Sequence, residues 1–87
     1  MRVISQHGNV DLPYEQIVVC HAMESVIALY NGEKYVLGKY SSKEKAYKAM
    51  EMLREAFFEN KHEETYREGI YYYSPCFQFP QDDEIEA

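Results

Sequence analysis

The sequence predicts a small α+β domain. Three observations carry that class: an amphipathic helix with a start signal over residues 41–60, strand-like segments on both sides of it, and an Asn31-Gly32 pair between two β-rich runs. The expected architecture is a small antiparallel sheet in the order β-β-β-β-α-β, with the one main amphipathic helix packed on one face. None of these signals specifies a chemistry. Function has to be sought in what the other residues allow and exclude.

Residues 2–6 form the first strand candidate, closed by a His7-Gly8-Asn9 turn. Asp11-Leu12-Pro13-Tyr14 reads as an extended or turning connection, because Pro13 disfavours helical geometry at Leu12. Residues 16–23 are strand-like, centred on Ile17, Val18 and Val19, and Glu24-Ser25 forms a tight connection. Residues 26–30 and 34–40 flank Asn31-Gly32, and a two-residue loop there pairs Tyr30 with Glu33, Ala28 with Tyr35 and Val26 with Leu37. Alternation puts those six side chains on one face and Ile27, Leu29, Lys34, Val36, Gly38 and Tyr40 on the other. The helix is expected over the Val26/Ala28/Leu37 face. The second face is also largely apolar, which calls for cover from the C-terminal segment or from a second subunit.

The helix begins at Ser41-Ser42-Lys43-Glu44, which reads as a capping box with Ser41 as the cap and Glu44 reaching back to its amide. Ala46, Ala49, Met50, Leu53, Ala56 and Phe57 recur at helical spacing and make one apolar stripe. The stripe lapses after Phe57, and Asn60 is the expected stop. Residues 61–68 are charged and read as loop. Gly69 opens Ile70-Tyr71-Tyr72-Tyr73, an aromatic strand, and Cys76-Phe77-Gln78-Phe79 alternates again before Pro80. Residues 1–80 are therefore expected as one domain, followed by an acidic, disordered tail over 81–87.

The bulk properties narrow the class of protein. A chain of 87 residues buries only about 60–65% of its unfolded surface, so added burial through a homodimer is favourable. No apolar run is long enough for a membrane span, and the polar turn after residues 1–4 is unlike a signal peptide. A cytoplasmic protein is expected, with Cys20 and Cys76 as reduced core thiols rather than a disulfide. The formal charge is −6, but Asp82, Asp83, Glu84 and Glu86 stand near the end; without them 11 acids face 9 bases, or −2. The body is thus close to neutral. It lacks the basic footprint that direct nucleic-acid binding needs.

Candidate chemistry is sparse. Cys20 and Cys76 coexist with His7, His21 and His62, so a Cys–His enzyme is one alternative, yet no catalytic motif surrounds either thiol. Cys20 sits in an apolar strand, where cysteine behaves as a small hydrophobe. His21 follows Cys20 directly, so the two point to opposite faces of a strand. There is no CxxC or HxxxH ligand spacing for a metal, and Gly8, Gly32, Gly38 and Gly69 stand alone rather than forming a phosphate loop. Glu51, Glu55 and Glu59 lie on a solvated helix face. No catalytic, cofactor-binding or metal-binding residue is assigned, and no cofactor is implied.

The compositional oddity is nine tyrosines with no tryptophan. Tyrosine buries its ring and partners its hydroxyl, which suits contact surfaces and sheet rims alike. Tyr71, Tyr72 and Tyr73 must alternate faces on a strand, which presents at least one aromatic outward.

Three blocks also carry a resemblance. They are Met1-Arg2-Val3-Ile4-Ser5-Gln6 with Pro13-Tyr14-Glu15, the run from Tyr40-Ser41-Ser42-Lys43-Glu44-Lys45-Ala46 through Lys48-Ala49-Met50-Glu51-Met52-Leu53-Arg54, and Phe77-Gln78-Phe79-Pro80 before an acidic end. In that order they resemble a group of small uncharacterised proteins encoded by phages and prophages of Gram-positive bacteria. The likeness spans most of the chain and lapses over residues 61–73. It implies an intracellular bacterial or phage setting and brings no active-site residue with it.

The expectation is a non-enzymatic protein-interaction module, binding a protein partner such as a host component and self-associating as a homodimer. The contact is expected among Ile27, Leu29, Val36, Tyr71 and Tyr73. A Cys–His enzyme is the alternative from another class. An acidic DNA mimic is a third reading, weakened by the near-neutral body, since mimicry needs ordered negative charge.

Overall fold

Asn31 and Gly32 both adopt positive φ, at 51° and 81°, the backbone that a two-residue hairpin turn requires. The turn joins β4 (Ser25–Tyr30) to β5 (Glu33–Lys39) and sets the register Tyr30↔Glu33, Ala28↔Tyr35 and Ile27↔Val36. The register then shifts: Val26 lies opposite Gly38, so the expected Val26–Leu37 pair does not form. A one-residue bulge of this kind reverses the alternation beyond it. Gly38 and Tyr40, expected on the second face, are buried with Leu37 instead. The structure, a computed structural model, describes residues 1–64 and 76–86, with side chains for 1–59 and 76–86.

The third strand of this sheet, β3 (Val18–Ala22), pairs antiparallel with β4, from Val18↔Leu29 to Ala22↔Ser25. Its loop is Met23-Glu24, one residue earlier than expected, with Met23 in left-handed backbone at φ 58°.

A second three-stranded sheet holds β1 (Arg2–Ile4) between β2 (Asp11–Pro13) and β6 (Cys76–Gln78). The class is α+β and mostly antiparallel, but the strands divide into two sheets and five precede the helix. The extra strand, β2, is three residues long and ends on proline, which cannot donate to a ladder and suits an edge. The β1–β6 pair is parallel, aligning Val3 with Phe77, and is closed by everything between them.

Gln6 couples the two sheets. Its amide donates to the Leu37 carbonyl at 2.7 Å, and its side-chain Oε1 accepts from the Lys39 amide at 3.0 Å. Its Nε2 donates to the carbonyls of Lys39 and Pro80, at 3.3 and 3.1 Å, while its own carbonyl accepts from Gln81 Nε2 at 2.9 Å. The side chain is only 6% exposed, and these partners satisfy it.

Helix α1 (Lys43–Glu64) is capped by Ser42, not Ser41: the Ser42 hydroxyl accepts from the Lys45 amide at 3.2 Å. It also runs past Asn60. No glycine or proline interrupts residues 58–64, so backbone hydrogen bonding outlasts the apolar stripe. Ala46, Ala49 and Leu53 bury against Val26, Ala28 and Leu37, the face expected for the helix. Val3, Leu12, Phe79 and Ile85 extend the same buried cluster across the second sheet.

The acidic end differs most from expectation. Asp82–Glu84 form a 3-10 turn, closed by the Gln81 amide donating to Glu84 Oε1 at 2.8 Å. Asp82 Oδ1 accepts from the Ser41 amide at 2.8 Å, beside the start of α1, where negative charge is favoured. Lys45 Nζ donates to the Asp82 carbonyl at 3.0 Å and lies 3.4 Å from its carboxylate. Ile85 is buried at 4% exposure. The segment is a docked clasp rather than a solvated tail. One apolar anchor and one well-placed carboxylate suffice to hold it. Residues 61–64 are helix rather than loop, and the expected aromatic strand over 70–73 lies outside the described residues.

Candidate functional site

The bulge leaves one face of the β3-β4-β5 sheet against α1 and turns the other outward. Alternation and register place Val18 and Cys20 of β3, Ile27 and Leu29 of β4, and Val36 of β5 on that outer face. Val18 is 60% exposed, Leu29 41% and Val36 56%, while Ile27 and Cys20 are half-buried at its centre. The charged members of this face are Lys34, opposite Leu29 at the hairpin end, and Lys39, opposite Ser25 at the other end. Ile27, Leu29 and Val36 are thus brought together as the sequence indicates. Tyr71 and Tyr73, expected in the same contact, lie outside the described residues. Val18 and Cys20 were missed because the β3 register could not be read, although the alternation of 18 and 20 against 19 and 21 holds the signal.

The thiols and imidazoles do not converge in the same way. Cys20 and Cys76 are free, and Cys76 is exposed rather than a core thiol, at the start of an edge strand. His21 turns to the helix side, its ring 6.3 Å from that of Tyr47 in an edge-to-face contact, away from Cys20. His7 is exposed in the first turn. The side chain of His62 lies outside the described residues. Among the described residues, no three His, Cys, Asp or Glu side chains gather where they could hold a metal ion, and no helix is long and apolar enough to cross a membrane.

A groove lies on the helix side, between the 3-10 turn Tyr14–Gln16, β3 and α1. Tyr14 and Phe57 stack across it with ring centroids 4.4 Å apart and planes tilted by 31°. Ile17, Val19, Met50 and Leu53 complete its apolar walls, with Glu15 and Arg54 also lining it, around a volume of about 390 Å³. The Met1 amino group donates to Glu15 Oε2 at 2.9 Å and holds that carboxyl below its ordinary range.

No protein-family model matches the chain, and no curated protein and no solved structure shows significant similarity to it.

Proposed function

We propose that this protein is a non-enzymatic interaction module that self-associates through the outer face of β3-β4-β5, as a homodimer at micromolar concentration. The observation that carries this reading is the contiguous apolar patch of Val18, Ile27, Leu29 and Val36 on a sheet whose opposite face is already buried by α1. Contiguous apolar surface of this kind marks contact sites, and burying it contributes roughly 25 cal/mol per Å². A second copy is the occupant that fits. The patch centre is uncharged and Lys34 and Lys39 stand at its two ends, so two copies related by a two-fold axis can stack without opposed charges at the centre. A host component bound by the dimer would suit a phage-encoded protein, the setting that the sequence resemblance implies.

The test is the mass in solution. The unmutated protein is expected to be dimeric at micromolar concentration. Leu29→Lys, at an exposed position, should shift it to a folded monomer. A strictly monomeric mass at high concentration, or a dimer that Leu29→Lys leaves intact, overturns the reading.

A further inference from the structure

The groove between the Tyr14–Gln16 turn, β3 and α1 joins two properties that occur together in ligand sites. Its lining side chains are mostly apolar, and a guanidinium with no partner among the described residues lines it. Its volume of about 390 Å³ lies within the roughly 300–1,000 Å³ usual for small-molecule sites. Arg54 follows Leu53 on α1, is exposed, and forms no hydrogen bond or ion pair among the described residues. The other ionised group in the lining, Glu15, is already paired with the Met1 amino group, so among the described residues the charge left uncompensated at the groove is positive. A guanidinium presents a planar fork of donors that matches the two oxygens of a carboxylate. Apolar walls at the same place select a body without polar groups, because a polar one would lose its water there without gaining a partner.

The geometry points to a binding site for a medium-chain monocarboxylate, with its alkyl body against Ile17, Val19, Met50 and Leu53 and its carboxylate on Arg54. The site is independent of the outer sheet face, because Val19 and the helix residues belong to the opposite side of the sheet. One arginine matches one negative group, and a short groove bounded by the Tyr14–Phe57 stack suits a single chain rather than an extended peptide.

Titration of isotope-labelled protein with octanoate, followed by NMR, tests the assignment. Saturable shifts are expected at Ile17, Val19, Met50 and Leu53. Octylamine, with the same body and the opposite charge, should bind at least about tenfold more weakly. Arg54→Gln should keep the melting temperature, weaken octanoate by a similar factor and not weaken octylamine. Equal affinity for the two amphiphiles, unchanged octanoate affinity in Arg54→Gln, or shifts located away from the groove overturns the site. Binding of a peptide with a C-terminal leucine, without binding of octanoate, also overturns it and assigns the groove to a chain terminus.

Discussion

The Tyr40 hydroxyl donates to the Pro80 carbonyl at 2.8 Å, linking the end of the hairpin to the end of the second sheet. The same ring lies over Gly38, where a Cβ would come within 2.9 Å of ring and hydroxyl atoms. The bulge, the glycine and the tyrosine therefore form one arrangement. The bulge turns Gly38 and Tyr40 inward, the absent side chain admits the ring, and the ring delivers its hydroxyl to Pro80.

Gly38→Ala is expected to destabilise the fold by about 1–3 kcal/mol, since the ring must move and it is held at its far end. In a domain of this size each kcal/mol lowers the melting temperature by roughly 4–8 °C, which thermal unfolding resolves. Gly32→Ala differs in kind: its Cβ meets nothing within 4 Å, and its cost comes from the positive φ alone.

Tyr40 also sets an alkaline limit. Burial, reinforced by the Asp82 and Glu84 carboxylates, pushes its hydroxyl up to about 12, against about 10 in the unfolded chain. The folded state thus favours the neutral hydroxyl. This contribution is complete below about pH 10 and is lost as the pH rises towards the folded value. Tyr40→Phe should be less stable than the parent at neutral pH by about 1 kcal/mol, with a shallower alkaline decline. Melting temperatures measured from neutral to alkaline pH compare the two slopes.

The C-terminal clasp gives an acid-side counterpart. The Ser41 amide, assisted by Lys45, holds the Asp82 carboxyl below its ordinary range. Its contribution is present above the unfolded carboxyl value of about 3.9 and is lost as the pH falls through the lower folded value. Asp82→Asn should flatten part of the acid limb of the stability profile. Removing residues 82–87 should lower the melting temperature by several degrees, because Ile85 leaves the core with the clasp. Ile85→Ala alone should cost about 2 kcal/mol or more. An unchanged melting temperature on removal would return the segment to the solvated tail that its composition suggests.

Thiol labelling of the native protein separates the two cysteines. Cys76 is exposed and should react rapidly with a thiol reagent, while Cys20, half-buried at the centre of the outer face, should react more slowly. If the outer face is a dimer contact, Leu29→Lys should speed labelling of Cys20 and leave Cys76 unchanged. Mass spectrometry of the labelled peptides reads both rates.

The parts of the fold legible in the sequence are those set by local rules. Asn31-Gly32 specified its own turn, and the stripe from Ala46 to Leu53 specified the buried helix face. The parts that were not legible depend on partners far along the chain. Leu12 and Pro13 become a strand only because β1 lies beside them, and the bulge at Leu37 and Gly38 makes sense only with the Tyr40 ring in place. Ser42 takes the cap, and the Ser41 amide that Glu44 was expected to reach is held instead by Asp82, 41 residues away. At the candidate site, Ile27, Leu29 and Val36 could be read from the hairpin alone. The groove could not, since Tyr14 and Phe57 meet only in three dimensions.

The parallel ladder between β1 and β6 has a consequence in time. The Gln6–Pro80 hydrogen bond spans 74 positions, and the ladder beside it joins strands equally far apart. The hairpins and the helix can form from neighbouring residues as soon as these leave the ribosome. The β1 strand can pair with β2 in the same way but not with β6, which is made after the helix. During synthesis the other edge of β1 waits unpaired until β6 emerges, and loop closure over that span slows the final step. The arrival of β6 thus converts a partly ordered chain into the folded one.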